Sequence, residues 1–260
     1  MSVTHAARLL HESKVERRPV SGGTLQWLVD QRLGAVHIMS YRLVIDPGQV
    51  VSHAHDGAEE SLYVVDGLGR ITVAGSRHDV SRGHAVFVPE AAEHSYENTG
   101  QAPLTLVGAM APPIDPGSIR PVMPSLDMTA ALAGAGVSEA FVGPRLMDEQ
   151  RVTPTLMGER SFRVLVNPEV GCRQMTQFTG IILTGRAPLH AHPHEEAVYI
   201  LEGSGRLWVG DEAVGELRPG SVVFFPIGVR HTLENTGTAH MKVLGAFSPA
   251  GSPEAKLAPA

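Results

Sequence analysis

Residues 53–60 read His53-Ala54-His55-Asp56-Gly57-Ala58-Glu59-Glu60, and the chain returns to the same theme at His190-Ala191-His192-Pro193-His194-Glu195-Glu196. The two His-Ala-His pairs lie 137 residues apart. Side chains at i and i+2 of a strand share one face, so each pair projects two imidazoles in one direction. Other segments recur at the same offset. Glu97-Asn98-Thr99-Gly100 returns as Glu234-Asn235-Thr236-Gly237, and Val107-Gly108-Ala109 as Leu244-Gly245-Ala246. The chain is therefore two copies of one unit.

Each unit reads as short strands cut by turns. Ser61–Asp66 and Ala197–Glu202 are β-rich and stop at Gly67 and Gly203, with Ile71–Val73 and Leu207–Val209 as their partners across tight turns. Ala85–Val88 and Val222–Phe225 are apolar runs with glycine before and proline after, as buried strands have. The 28 glycines and 19 prolines in 260 residues fit many turns, and no sustained helical period competes. The expected class is all-β: two tandem barrels, a Pro-rich linker and few short helices. A short helix is predicted within Thr4–Arg17 and a helical turn near Asp127–Leu132. The linker runs through Ala111–Gly136, and the Pro/Ala-rich tail from Ser248 is expected to be loose.

Composition narrows the function. Net charge is −6 with no dense Lys/Arg run, which argues against a nucleic-acid footprint or a polybasic membrane patch. No stretch of about 18 apolar residues offers a membrane span. Met1–Val20 carries charges throughout and lacks the apolar core of a signal peptide. Cys172 is the single cysteine, so no intrachain disulfide can form. A cytoplasmic, reducing location is the expectation.

His94 and His231 follow the two His-x-His pairs at a distance, and Glu60 and Glu196 lie between. Six of the 13 histidines occupy these places. Three imidazoles and a carboxylate offer nitrogen and oxygen donors to one divalent cation, and four ligands leave two positions of an octahedral ion free. The predicted ligands are His53, His55, Glu60 and His94 in the first unit, and His190, His192, Glu196 and His231 in the second. Manganese, iron or nickel suit such a set; cobalt or zinc would also fit.

These residues resemble the cupin superfamily. Gly48-x4-His53-x-His55-x4-Glu60-x6-Gly67 looks like the first cupin motif, and Gly83-x5-Pro89-x-Ala91-x2-His94-x3-Asn98 like the second. Gly185-x4-His190-x-His192-x3-Glu196-x6-Gly203 and Gly220-x5-Pro226-x-Gly228-x2-His231-x3-Asn235 match more closely. The resemblance covers roughly 35–110 and 172–247. It implies a bicupin of two jelly-roll (double-stranded β-helix) barrels, with domains at 30–112 and 161–248 joined by a linker at 113–160. The spacing departs in one respect: four residues, not the commoner five, separate each leading glycine from its histidine. Ala91 replaces the turn glycine seen at Gly228, so a somewhat different turn is expected there.

Neighbouring residues have their own expectations. Tyr96 shares a strand face with His94 and is the candidate catalytic donor in the first pocket; its counterpart is Leu233. Glu59 and Glu195 are expected at the surface, and His194 on a solvent-facing turn, with a ligand role as the alternative. Tyr63 and Tyr199 should face outward as packing residues. Cys172 should be buried and inert. For function, resemblance to bicupin oxygenases favours a dioxygenase acting on a small organic molecule. A non-redox isomerase, lyase or hydrolase, and a non-catalytic ligand-binding bicupin, are the alternatives. Two chains could pair as a homodimer through exposed strands.

Overall fold

The computed structural model describes residues 7–122 and 145–257. Two antiparallel barrels fill that span, each made of two facing sheets. In the first, a seven-stranded sheet runs in the order Leu146–Asp148, His84–Val88, Glu59–Asp66, Leu104–Ala111, Met39–Ile45, Gly23–Val29, Arg18–Val20. It faces a five-stranded sheet of Arg120–Pro121, Val50–Ala54, His94–Asn98, Leu68–Val73 and Ser76–Ser81. The second barrel repeats the plan. Arg8–His11, Ser221–Phe225, Glu195–Glu202, Met241–Ser248, Thr176–Ile182, Arg160–Val166 and Thr155–Met157 oppose Gly185–Arg186, His231–Asn235, Gly205–Val209 and Glu212–Leu217.

The repeated Glu-Asn-Thr-Gly has a structural cause. The Asn98 amide donates to the carbonyls of Ile45 and Ala102, at 2.8 and 2.9 Å, and accepts from Gly100 N–H at 2.9 Å. Asn235 makes the same three bonds to Ile182, Ala239 and Gly237. One buried amide thus ties a turn to a neighbouring strand in each barrel, leaving no orphaned polar atom on its side chain.

The barrels exchange strands. Arg8–His11, at the start of the chain, pairs with Ser221–Phe225 of the second barrel. Its repeat counterpart, Leu146–Asp148, pairs with His84–Val88 of the first. This edge pairing replaces the helix predicted within Thr4–Arg17: among its described residues are a strand and a single 3-10 turn, Glu12–Lys14. Leu9 and Leu10 gain more from packing against the barrels than a short isolated helix could gain from its own hydrogen bonds. The sheets accordingly reach outside the 30–112 and 161–248 spans expected from sequence. The predicted turn at Asp127–Leu132 lies outside the described residues.

A continuous apolar core joins the two halves. Leu28, Ile38, Phe87 and Val107 of the first half meet Leu165, Met175, Phe224 and Leu244 of the second. Tyr63 and Tyr199 lie in this interface, as outward-facing packing residues of their barrels. Each hydroxyl donates to a buried or half-buried carboxylate just past an exchanged strand: Tyr63 to Glu149 at 2.6 Å, Tyr199 to Glu12 at 2.5 Å. Lys242 donates to Glu149 at 2.8 Å, and Arg42 pairs with Glu12 at 3.0 Å. Cys172 is fully buried in the same core, and burial pushes its thiol pKa above the usual range, as an inert thiol requires.

Glu59 and Glu195 are not surface carboxylates. Glu195 is 5% exposed and accepts from the backbone N–H groups of Val36 and His37, at 2.9 and 2.7 Å. Glu59 accepts from Arg173 and Gln174 N–H, both at 2.8 Å. Each barrel thereby holds a loop of the other, and a charged acceptor makes such bonds short and strong.

The tail is also ordered where it is described. Thr176 Oγ1 donates to Gly251 O at 3.0 Å, and Leu257 N–H donates to Ala191 O at 2.8 Å. That bond is the counterpart of the pairing between Arg120 and Ala54 in the first barrel, so backbone groups at a sheet edge bind a segment whose composition suggested looseness. Ala91, expected to alter its turn, instead takes the left-handed conformation of Gly228, with φ of 60° against 78°. Its N–H donates to His55 O at 3.0 Å, as that of Gly228 does to His192 O. The turn hydrogen bond offsets part of the left-handed penalty of about 1–2 kcal/mol for a side chain with a Cβ.

Replacing Glu195 with alanine leaves two backbone donors without their acceptor, at a cost of about 2–4 kcal/mol if both stay shielded from water. Urea unfolding of the Glu195→Ala chain should show a clearly lowered midpoint. An unchanged midpoint would contradict the clamp.

Candidate metal centres

In the first barrel, His53 on Val50–Ala54 sits directly opposite His94 on the neighbouring strand. His55 follows the same strand and Glu60 enters from Glu59–Asp66. The ligand atoms of His53, His55, Glu60 and His94 all lie within 4.8 Å of one another. Glu60 Oε2 is 3.1 Å from His55 Nε2 and 3.2 Å from His94 Nε2. The His94 contact has no hydrogen-bonding geometry, leaving that buried nitrogen without a partner. Neighbouring ligands on one ion with bonds of about 2.1 Å stand about 3 Å apart, so the set fits a shared cation. His94 Nδ1 donates to Ala92 O at 2.7 Å, which fixes the tautomer with the Nε2 lone pair facing the cluster.

Two tyrosines close over the same carboxylate. Tyr96 donates to Glu60 Oε2 at 3.0 Å, and Tyr41 donates to Oε1. Glu60, Tyr96 and His55 have no solvent exposure. Burial opposes the charge on Glu60, but the His55 hydrogen bond and the close approach of the His94 and His55 imidazoles outweigh it and hold the carboxyl well below its ordinary range. Burial and then Glu60 raise both tyrosine hydroxyls well above theirs. Burial, followed by repulsion from His94, lowers His53 to about 3.

In the second barrel His190, His192 and His231 converge in the same way. Each directs Nδ1 at a backbone carbonyl: Pro188 at 3.1 Å, Ala255 at 2.7 Å and Val229 at 2.8 Å. All three can then present Nε2 to one point. The Phe225 ring stacks on His231 at 3.6 Å and fixes its plane. Glu196 belongs to an overlapping group with His192 and His194, its Oε2 lying 3.8 Å from His192 Nε2. The structure thus gathers the three predicted histidines and sets Glu196 at their side, nearest His192.

The carboxylates of the two barrels differ in their surroundings. Tyr41 and Tyr96 have Phe178 and Leu233 as repeat counterparts, so no hydroxyl reaches Glu196 from those positions. Burial raises the Glu196 carboxyl, with His192 and Arg160 opposing. Where Tyr96 fills the first barrel, the shorter Leu233 borders a cavity of about 80 Å³. Its lining includes His190, His192, Glu196 and His231 together with the apolar Phe162, Phe178, Ile182 and Val243.

His194 is not on a solvent-facing turn. It is 3% exposed and stacked between His192, at 4.7 Å, and Phe247, at 4.0 Å. Burial lowers its pKa to about 3, and the aromatic neighbours account for its inward position. Arg160 is a site residue that sequence reasoning missed. It lies 30 residues before His190, on a strand outside both cupin motifs, and a lone arginine gives no local signal.

Two small antiparallel barrels in one chain, each with an imidazole cluster in its interior, define a bicupin. The chain belongs to the cupin family: the cupin domain matches residues 41–110 and again 183–247. The chain is similar to an uncharacterized protein of Methanocaldococcus jannaschii, 31% identical over 61 residues, spanning 24% of this chain and about half (49%) of that one. It is also similar to the tetracenomycin polyketide synthase protein TcmJ of Streptomyces glaucescens, 27% identical over 112 residues, 43% of this chain and 75% of that one. Among solved structures, a mutant of Bacillus subtilis oxalate decarboxylase OxdC aligns over 96% of this chain and 79% of its own, with a TM-score of 0.76 and 16% identity. A formate complex of the Lactobacillus farciminis oxalate decarboxylase aligns over 96% and 88%, at 0.76 and 15%. Another structure of the B. subtilis enzyme, 17% identical with a TM-score of 0.76 over 96% and 79%, concerns its Mn(II) centres. At these identities the likeness carries the fold alone.

Acid should weaken the metal-free chain. His53, His190 and His194 are held at about 3, 4 and 3, against an ordinary value of 6.5. Below 6.5 the unfolded chain takes up protons that the folded chain refuses, so stability falls as pH drops from 6.5 toward 4. The urea midpoint of the metal-free chain should decline through this window, and less steeply in His190→Gln. A flat or rising midpoint would contradict the buried neutral imidazoles.

Proposed function

We propose that the chain is a metal-dependent oxygenase that works on a small organic molecule in its second barrel, while the first holds its ion in a closed site. The observation that carries the reading is the contrast between the barrels. In the first, two tyrosines seal Glu60. In the second, the imidazoles face a cavity with apolar walls. A bound iron, manganese or nickel ion would supply redox and Lewis-acid chemistry there, with coordination positions left over for small molecules.

The chain's own residues do the rest. His190, His192 and His231 are held in one tautomer by backbone carbonyls, so metal binding needs no rearrangement of their hydrogen bonds. Phe162, Phe178, Ile182 and Val243 make part of the cavity lining apolar, which disfavours water there. In this reading Tyr96 is a positioning residue that holds Glu60. Apart from the cluster itself, the charged groups lining the second cavity are Arg160 and Lys256. Neither is a carboxylate or an imidazole, the groups that most often hand a proton to carbon, which favours oxygen chemistry over an isomerase or lyase.

The test is oxygen uptake by the iron- or manganese-loaded chain against a panel of small enolisable acids. Stoichiometric consumption of O₂ with substrate, abolished in His231→Ala, is the expected result. Turnover at the same rate under argon would replace the oxygenase reading with a Lewis-acid one.

A further inference from the structure

The internal repeat lets each residue of the second cavity be compared with its counterpart in the first barrel. Most differences there exchange one apolar or aromatic group for another. Two introduce charge. Arg160, which pairs with Ile182, occupies the register position of Gly23, which pairs with Ile45. A Cβ at Gly23 would fall 2.0 Å from Val44 O, so the first barrel has no room for a side chain at that place. Lys256, in the tail folded over the second barrel, stands where the first has Ile119, an apolar residue packed on the core.

Both cations line the cavity beside the imidazoles. Arg160 is anchored by one nitrogen: Nη2 donates to Leu233 O at 2.8 Å and to Thr232 Oγ1 at 3.2 Å. Its Nε is buried and has no hydrogen-bond partner. A buried N–H of a cation left unpaired is costly unless something arrives to accept from it. The anchoring bonds also stiffen the guanidinium, so little entropy is lost when it takes a ligand.

The charge balance asks for the same occupant. Glu196 is the single carboxylate among the residues lining the cavity. A divalent ion beside it leaves a net positive charge, to which Arg160 and Lys256 add two more. Positive charge gathered in a low-dielectric cleft attracts and orients an anion. The apolar part of the lining, Phe162, Phe178, Ile182 and Val243, suits an apolar body.

Resting on the metal-site reading above, we infer that the second barrel takes a small organic carboxylate: its carboxylate meets Arg160 and Lys256, and its hydrocarbon part packs on the phenylalanines of the lining. Arg160 is the specificity-determining residue, since its unpartnered Nε–H can donate a charge-assisted hydrogen bond to a carboxylate. Lys256 adds a second positive charge to the lining. The first barrel, with glycine and isoleucine at these positions, has no such preference.

Saturation-transfer NMR with butyrate, and with butyramide as its neutral isostere, tests this on the full chain, both zinc-loaded and metal-free. Butyrate should bind at least about tenfold more tightly than butyramide. Arg160→Gln should remove most of that preference, Arg160→Lys should restore part of it, and Lys256→Gln, a change on an exposed tail residue, should weaken butyrate several-fold. Zinc measured on the same samples reports the metal site separately: Arg160→Gln should keep its zinc while losing the anion. Equal binding of butyrate and butyramide in both forms of the unaltered chain would overturn the inference. So would butyrate affinity unchanged in both Arg160→Gln and Lys256→Gln.

Discussion

Side chains alternate along a strand, and that constraint acts most sharply at Glu59-Glu60 and Glu195-Glu196. Successive residues of an extended chain point to opposite faces. Glu60 and Glu196 therefore enter their barrels, while Glu59 and Glu195 face the other half and accept its backbone N–H groups. One pair of adjacent carboxylates thus serves both the interior cluster and the contact between barrels. A slip of one residue in either strand would leave that barrel with the interior carboxylate or the clamp, but not both.

The two halves depend on each other for more than this contact. Each lends the other a strand, and just past each strand a glutamate meets a tyrosine hydroxyl of the opposite barrel. The shared apolar core then covers a face that neither barrel could leave in water. The site inherits its rigidity from this arrangement. The strands carrying Glu60 and Glu196 lie inside the seven-stranded sheets, between partners on both sides. The two interiors also differ: the tyrosine pair over Glu60 has Phe178 and Leu233 as its counterparts, and both of these border the cavity of the second barrel.

Much of this was legible in the sequence because it depends on local spacing. The His-x-His pairs, the recurring Glu-Asn-Thr-Gly and the glycine-bounded runs fix strands, turns and the repeat. The convergence of His53, His55, Glu60 and His94 followed from them. What escaped notice depends on distant partners. Glu195 looks like a surface charge until the backbone of Val36 and His37 is placed against it. His194 looks like a turn residue until Phe247 stacks on it. Residues 8–11 suggest a helix until the open edge of Ser221–Phe225 is available, and the Pro/Ala-rich tail looks idle until Ala255 O reaches His192. Arg160 belongs to no motif; its meaning lies in the glycine it replaces in the other barrel.

The central claim is that each barrel holds one divalent ion through its own histidines, and counting metal per chain tests it most directly. Chains loaded with manganese and freed of excess should carry two ions by elemental analysis. His94→Ala and His231→Ala should each carry one, and the double variant none. Two ions retained in both single variants, or no metal in the unaltered chain after loading, would contradict the account.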